Sequence, residues 1–356
     1  MKSHANLWPR ITSFENLYEA FRRARKGKRC RADVAAFEFD LESNLLTLQR
    51  ELLTETYRPG GYRNFVVREP TERTISAAPF RDRVVHHALC RVIEPLFDRV
   101  FVPHSFANRT GKGTHRAMDR CRSLIGRYRY VLKADVSKFF PSVDHEILYA
   151  LLVKRVRDAP ASRLMRLILD SGAGVLADEY RMTWFPGDTL LGPLGRARGI
   201  PIGNLTSQFW ANVYLHELDR FVVGSLGRDA YVRYVDDFLV FGDDKSKLHE
   251  LRCRIEEFLA TLRLTLHPRK TRVFPVTAGV PFLGFVHYRR HVRLKRDGVK
   301  RFVRRMRRYQ RAFAEGGLPV PRLTASIQSW IAHASYGHTF RLRAALLSRC
   351  AFSPGP

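Results

Sequence analysis

The feature that most constrains this chain is a pair of adjacent aspartates, Asp236 and Asp237, inside an otherwise apolar stretch from 230 to 242. The residues on both sides of the pair are typical of β-strands, whereas aspartate is a poor strand former and neighbouring carboxylates repel each other. A fold that keeps both acids there has to turn the chain and to supply a positive partner. The pattern therefore predicts a β-hairpin with the two acids at its tip, close to a cation.

A third acid, Asp135, ends another strand-like run that begins at Tyr130. Carboxylate oxygens are the ligands that Mg²⁺ prefers, together with substrate phosphates. Two such ions activate an attacking oxygen and stabilise a leaving one in an in-line displacement. The three aspartates therefore predict a site for two Mg²⁺ ions, with Mn²⁺ as a substitute. Taken alone, an adjacent pair of aspartates is more often an ordinary exposed turn.

Helical stripes, strand-like runs and turn residues divide the rest of the chain into elements. The predicted helices cover 14–55 as two helices joined by a basic turn, then 80–101, 207–222, 248–262 and the stretch after 298, with one more beginning at Asp144. The predicted strands cover 62–68, 73–77, 130–136 and 282–288. Residues 171–200 contain six glycines and two prolines, which indicates a loop-rich linker or an insertion with short strands.

The charge of the chain indicates a polyanionic partner. There are 62 Lys plus Arg against 34 Asp plus Glu, a formal net charge of +28. Arginine carries most of the excess, and its planar fork binds phosphate and stacks on bases, which favours nucleic acid over a membrane. A GC-rich genome would also enrich arginine, so composition leaves both explanations open. No apolar run approaches the roughly 18 residues that span a bilayer, and no signal-peptide pattern begins the chain, which predicts a cytoplasmic protein without membrane contact.

Seven short segments resemble, in order, the motifs of reverse transcriptases. They are 79–85, 105–115, 134–140, 199–208, 234–237, 267–271 and 282–285. In that family they correspond to two fingers motifs of group II intron-like enzymes, the first palm motif, the template- and nucleotide-contacting motif, the catalytic signature, the lysine motif and the primer grip. The resemblance covers roughly residues 60–345. It implies an RNA-directed DNA polymerase that binds a template RNA, the RNA/cDNA duplex and dNTPs.

The template- and nucleotide-contacting motif departs from the family's common form at Ile202, where a glutamine usually lies between the proline and the glycine. Together with Ser207 and Gln208, this form resembles the reverse transcriptases of diversity-generating retroelements. That resemblance implies an enzyme that copies its template RNA with errors at adenines, so that the cDNA diversifies a target gene by mutagenic retrohoming. It also implies a small basic accessory protein that forms a pentameric helical bundle.

The resemblance further implies a role for each acidic residue. Asp135 and Asp236 bind the two metal ions with help from the carbonyl of Val136, while Asp237 supports them or lies near the primer end. All three aspartates are therefore expected to be catalytic. Lys270 joins them, because the family places a lysine there to protonate or neutralise the leaving pyrophosphate. Its plainer interpretation is an exposed surface lysine.

Substrate contacts are implied for residues around these acids. Phe140 corresponds to an aromatic that the family places against the sugar 2′ position, and it could equally be plain core. Arg68 and Arg73 are expected to bind the triphosphate through bidentate contacts, and their plainer interpretation is the solvated face of a hairpin. The remaining expected nucleotide-contacting positions are Ile202, Gly203, Ser207 and Gln208.

The fold implied by the resemblance is an α+β right-hand polymerase with fingers, a palm that has a ferredoxin-like antiparallel sheet, and a helical thumb. The expected boundaries are an N-terminal helical extension over 1–58, fingers over 59–128, a palm with part of the fingers inserted over 129–288, and a thumb over 289–356. In the thumb, the arginine-rich helix would follow the duplex. Two alternatives stay open: a group II intron-like or other bacterial reverse transcriptase of ordinary fidelity, and a decayed polymerase fold that only binds RNA.

Overall fold

The computed structural model describes residues 3–68, 72–225, 227 and 229–353. Its N-terminal part forms four helices where the periodicity predicts two: α1 Trp8–Thr12, α2 Phe14–Arg25, α3 Ala32–Phe39 and α4 Leu41–Leu53. Ser13 begins α2 by accepting a hydrogen bond from the backbone N–H of Asn16. Asp40 leaves helical geometry and separates α3 from α4, which the apolar stripe alone could not indicate.

An antiparallel hairpin and two helices follow. The predicted strands are confirmed as β1 Arg63–Val67 and β2 Arg73–Ala77, and they lead into the helices α5 Phe80–Asp98 and α6 Thr114–Arg127. The N-terminal helices pack on α5 through three rings, Phe21, Phe37 and Phe80, whose centroids lie 5.4–6.0 Å apart. These rings belong to the same hydrophobic core as the main sheet, so the N-terminal helices are an integral part of the fold.

A four-stranded antiparallel sheet lies at the centre of the chain. Its strands are β3 Tyr130–Asp135, β4 Tyr231–Tyr234, β5 Asp237–Gly242 and β6 Arg272–Pro275, in the order β4-β5-β3-β6. The helices between them are α7 Phe139–Ser142, α8 His145–Val153, α9 Ala159–Ser171, α10 Leu205–Arg220 and α11 Lys245–Thr261. Because helices connect β3 to β4 and β5 to β6, the sheet follows a βαββαβ path.

The loop-rich stretch between α9 and α10 contains no strand, so the short strands expected between 171 and 200 are wrong. The structure has a 3₁₀ turn at Ala177–Glu179 and an isolated bridge between Asp144 and Arg198. Backbone and side chain together attach this stretch to the segment around Asp144. His145 N donates to Ala197 O at 3.1 Å, Gly199 N donates to Val143 O at 2.8 Å, and Arg196 lies against the buried carboxylate of Asp144. These contacts form a single bridge and no strand.

The C-terminal part has a second sheet and three helices. Strands β7 Val280–Phe282, β8 Phe285–His287 and β9 Val292–Leu294 are followed by α12 Arg296–Ala314, α13 Val320–Ala334 and α14 Phe340–Leu347. The single strand expected over 282–288 is wrong, because Leu283 and Gly284 both have positive φ and turn the chain back on itself. Phe302 of α12 stacks on Trp330 of α13 with ring centroids 3.7 Å apart, which centres a separate small core.

Among the described residues, no helix is both long and apolar enough to cross a membrane. The arginine-rich helix α12 buries Phe302 and Met306 on one face and exposes Arg304, Arg307 and Arg308 on the other. Its apolar stripe therefore packs on the C-terminal core, and Arg304, Arg307 and Arg308 are exposed to water or to an anionic partner.

Asp158 joins the first helix to the rest of the molecule. Its carboxylate is buried and accepts hydrogen bonds from the backbone N–H groups of Leu7 (2.7 Å) and Trp8 (3.0 Å) with one oxygen. The other oxygen accepts from Ala161 N at 3.1 Å and caps α9. One side chain thus satisfies free N–H groups at two helix starts, which are 150 residues apart in sequence.

Replacing Asp158 by alanine should therefore destabilise the protein by roughly 2–4 kcal/mol, because three charge-assisted hydrogen bonds are lost and their N–H groups stay buried. Urea unfolding followed by circular dichroism measures the change. Glu42→Ala, at an exposed position in the first turn of α4, is the matched control and should change stability by less than about 0.5 kcal/mol. Equal losses in the two variants would contradict this function of Asp158.

Candidate active site

The main sheet brings the three predicted aspartates together. Asp135, the last residue of β3, lies directly opposite Asp237, the first residue of β5. Side chains of directly paired residues emerge on the same face of an antiparallel sheet. Asp236 lies in the turn that precedes β5, and its carbonyl accepts a hydrogen bond from Val136 N at 3.1 Å. The predicted hairpin is confirmed, although Asp237 belongs to a strand and only Asp236 lies in the turn.

These carboxylates oppose one another electrostatically. Burial, together with the neighbouring carboxylates of Asp135 and Asp237, raises the pKa of Asp236 to about 6. Burial also raises the pKa of Asp237, while Lys133 opposes that shift. Each charge is thus held at a cost in free energy that a cation at the same place would offset.

Two lysines supply positive charge in this structure. Lys270 Nζ lies 3.0 Å from Asp135 Oδ1, and Lys133 Nζ lies 2.5 Å from Asp237 Oδ1. Lys133 was missed by the motif comparison. Strand alternation could have found it, because a residue two positions before Asp135 on the same strand points to the same face of the sheet.

The chemistry of the donors fits a hard divalent cation such as Mg²⁺, which prefers carboxylate oxygens and would offset the burial and repulsion that raise the pKa of Asp236. Among the described residues, however, no group of three or more His, Cys, Asp or Glu side chains is arranged to hold a metal ion. The ammonium groups of Lys133 and Lys270 engage two of the three carboxylates instead. A metal ion that binds Asp135 Oδ1 therefore competes with Lys270, whose half-exposed side chain leaves it room to move.

The loop that contains Ile202 is attached to the hairpin strand β2. Ser76 N donates to Ile202 O at 2.8 Å, and the buried amide of Asn204 bonds Ser76 O (2.9 Å) and Ala78 N (3.1 Å). Gly203 has a φ of +117° and its Cα approaches the side chain of Ile75 so closely that a Cβ would lie 2.8 Å from Ile75 Cγ2. A glycine is therefore required at 203 by both backbone and space.

The other predicted substrate residues are placed as follows. Phe140 is half-buried, and its carbonyl accepts from Ile200 N at 3.0 Å, so it lies beside the Ile202 loop. Gln208 is exposed on α10, whereas Ser207 is buried, so the structure places Ser207 inside the helix packing. The structure thus groups Phe140 with the loop from 199 to 203.

The two arginines expected at the triphosphate lie on the hairpin. Arg68 directly follows β1, and Arg73 begins β2 opposite Val67, with both side chains exposed. Arg73 is four positions before Ala77, which is roughly 13 Å of strand, so both arginines lie toward the far end from the Ile202 loop. The connection between them, 69–71, lies outside the described residues.

An antiparallel βαββαβ sheet with carboxylates at a hairpin turn and at the end of the adjacent strand defines a polymerase-type fold. The sequence pattern of the family described as "Reverse transcriptase (RNA-dependent DNA polymerase)" matches residues 68–287, more than half of the chain. The chain therefore belongs to the reverse transcriptase family.

Relatives of known name support this assignment. The group II intron-encoded protein LtrA of Lactococcus lactis subsp. cremoris is 26% identical over 215 residues, 59% of this chain and 33% of that protein. Protein YkfC of Escherichia coli is 25% identical over 284 residues, 68% of this chain and 71% of that protein. The Retron Mx65 reverse transcriptase of Myxococcus xanthus is 32% identical over 152 residues, 42% of this chain and 34% of that protein. The chain thus spans about a third of the length of LtrA and of the retron enzyme.

The ion pair between Lys133 and Asp237 yields a stability prediction that needs no substrate. Lys133→Met should destabilise the protein by about 2 kcal/mol, since it leaves a partly buried carboxylate without its partner. Adding Asp237→Asn should restore most of that loss, because the uncompensated charge is then gone. Urea unfolding of the two single variants and the double variant gives the coupling. Additive losses would show that the two side chains do not interact in solution.

Proposed function

We propose that this chain is an RNA-directed DNA polymerase, which extends a primer on a template RNA by adding nucleotides from dNTPs. The observation that carries the proposal is the register of the main sheet, which sets Asp135 opposite Asp237 with Asp236 in the turn before it. Membership of the reverse transcriptase family supports the same reaction. A decayed fold that only binds RNA is disfavoured, because it would keep three carboxylates close together without any function to offset their repulsion.

Two divalent ions bound at this site would activate the primer 3′-hydroxyl and stabilise the charge on the leaving pyrophosphate. We assign their binding to the carboxylates of Asp135 and Asp236 and to the carbonyl of Val136. Asp237, on the neighbouring strand, supports the pair while its own charge is compensated by Lys133 at 2.5 Å. The carboxylates thus differ in function, since one of the three keeps a protein cation as its partner.

Lys270 has two successive partners in this proposal. Before substrate binds, its ammonium group lies 3.0 Å from Asp135 Oδ1 and offsets that charge. When the triphosphate arrives, Lys270 moves to the leaving pyrophosphate and neutralises it or donates a proton. The half-exposed position of this side chain allows such a movement.

The remaining substrate contacts follow from position. Phe140, beside the loop from 199 to 203, lies against the sugar 2′ position and excludes ribonucleotides by steric contact. The exposed arginines of α12 follow the phosphates of the template–primer duplex. Arg68 and Arg73 reach the triphosphate if the hairpin bends over the site. In this arrangement residues 1–58 form the N-terminal extension, 59–128 the fingers, 129–288 the palm and 289–356 the thumb of a right hand.

The form of the Ile202 loop supports a more particular proposal: an error-prone enzyme of the diversity-generating type that works with a basic pentameric accessory protein. A glutamine at 202 could hydrogen-bond around the nascent base pair, whereas isoleucine offers only shape. Buried polar groups discriminate strongly because a wrong partner leaves them unpaired. Ile202 is half-buried beside β2, and its carbonyl accepts a hydrogen bond from Ser76 N.

A second candidate is a bacterial reverse transcriptase of ordinary fidelity. The group II intron-encoded and retron relatives favour it, because their names refer to elements other than diversity-generating ones. The two candidates share the active site and the reaction. They differ in how often, and opposite which template base, a wrong nucleotide is added.

Asp236→Asn should abolish Mg²⁺-dependent extension of a DNA primer on an RNA template, while the variant stays folded and binds the template–primer duplex as the wild type does. The substitution keeps the shape of the side chain and removes a charged ligand, whose electrostatic role is worth several kcal/mol in the transition state. Asp229→Asn, an exposed aspartate before β4, is the matched control and should retain wild-type rates. Normal rates in Asp236→Asn would end the metal assignment, and an inactive wild type would leave only the RNA-binding alternative.

Ile202→Gln should lower the misincorporation frequency at least about tenfold on the same RNA template, with the largest decrease opposite adenine. Sequencing of the cDNA made by the wild type and by the variant measures this. Leu194→Gln places the same side chain at an exposed position outside the loop, and its error pattern should match that of the wild type. Errors that are equally low with and without the substitution, or spread evenly over the four template bases, would favour the ordinary-fidelity candidate.

A further inference from the structure

A buried ion pair contacts the turn formed by Val235 and Asp236. Arg233, the third residue of β4, and Asp219, near the end of α10, have side chains that are 1% and 0% exposed. Two guanidinium nitrogens of Arg233 donate to the two carboxylate oxygens of Asp219, both at 2.6 Å. Tyr231 adds a hydroxyl donor to the same carboxylate at 2.8 Å. Such two-pronged geometry fixes the plane of the guanidinium as well as its position.

The same guanidinium also joins three other parts of the chain. Its third nitrogen, Nη1, donates to Val235 O in the turn before Asp236 at 3.0 Å and lies 3.3 Å from Asn212 Oδ1 of α10. Nη2, which donates to Asp219, also donates to Ser105 Oγ at 3.0 Å. The side chain of Arg233 therefore connects the turn before Asp236 to α10 and to the segment around Ser105.

The turn that Arg233 contacts is strained. Val235 has a φ of +56°, a left-handed conformation that is rare for any residue with a side chain and especially for a β-branched one. Strained backbone persists where surrounding contacts determine it. Here Val235 O is held by Arg233, and the next residue, Asp236, is held through its carbonyl by Val136 N.

The ion pair is not needed to cover the edge of the sheet. Backbone hydrogen bonds already do so, since Arg233 N donates to His104 O at 2.9 Å and Phe106 N donates to Arg233 O at 3.0 Å. An apolar pair of similar volume usually fills a buried space as well as a charged pair does. The charged pair adds the directed hydrogen bond from Arg233 to Val235 O in the turn.

We propose that Arg233 is a positioning residue that, held by Asp219, fixes Val235 in its left-handed conformation and thereby sets Asp236 against the end of β3. The changes in kcat that follow from this proposal rest on the polymerase function proposed above. Its structural content, that the guanidinium holds the turn, is independent of that function.

The first test compares two lysine substitutions in the full chain. Arg233→Lys keeps the positive charge and loses the fork, so one ammonium group cannot reach both Asp219 and Val235. We expect kcat to fall about 100-fold, as for a reacting group displaced by about 1 Å, with the KM for dNTP and the affinity for template–primer unchanged. Arg196→Lys alters another buried arginine–aspartate pair, Arg196 with Asp188, and should keep a kcat close to that of the wild type. Equal losses of kcat in the two variants would overturn the proposal.

A rescue experiment separates positioning from general support of the fold. Glycine adopts the left-handed conformation without steric cost, so Val235→Gly in the Arg233→Lys background should recover about tenfold in kcat. If Arg233 only supported folding, the change at Val235 would recover nothing, and the proposal would fail. Should Arg233→Lys not fold, Arg233→Met with Asp219→Leu removes both charges together and leaves no unpaired buried charge. The same loss of kcat and the same rescue are expected in that background.

Amide hydrogen exchange tests the turn without substrate or metal. The N–H of Val136 is protected by its bond to Asp236 O, so its exchange should be at least about tenfold faster in Arg233→Lys than in the wild type and in Arg196→Lys. Unchanged exchange would overturn the proposal even if kcat falls. If the wild type itself extends no primer, the polymerase function fails, and the exchange rates still decide whether Arg233 holds the turn.

Discussion

Repulsion among three carboxylates is the constraint on which the rest of this structure depends. The register of β3 and β5 brings Asp135, Asp236 and Asp237 together, and nearby lysines compensate part of their negative charge. Lys133 compensates Asp237 and Lys270 compensates Asp135, while Asp236 keeps a raised pKa. Unrestrained carboxylates would move apart. The hydrogen bonds from Arg233 to Val235 O and from Val136 N to Asp236 O restrain the turn against that repulsion.

Local patterns could predict the elements that carry the site, because each depends on residues close in sequence. The strand ending at Asp135, the acidic hairpin and the cap at Asp144 are confirmed for that reason. Local patterns failed where distant contacts decide the structure. Residues 171–200 have no strands, and they meet the distant segment around Asp144 through the Arg196 ion pair and a single bridge. The strand expected over 282–288 is broken at Leu283 and Gly284, where positive φ turns the chain between β7 and β8.

Motif resemblance could indicate some of the charged residues of the site and not others. Motif resemblance pointed to the aspartates and to Lys270, whose contact with Asp135 spans 135 positions of sequence. It did not indicate Lys133 or Arg233, because each lies one residue before a matching segment and contacts a partner on another element. Motifs report the residues that meet substrate, whereas the residues that hold them in place depend on packing that only the folded chain reveals.

The buried amide of Asn204 has a consequence for motion. It bonds Ser76 O of β2 and Ala78 N just after that strand, while Ser76 N bonds Ile202 O. Three hydrogen bonds therefore hold the base of the hairpin against the loop from 199 to 203. Bending of the hairpin would start in the outer part of β1 and β2, which these bonds do not reach, and the loop would keep its shape.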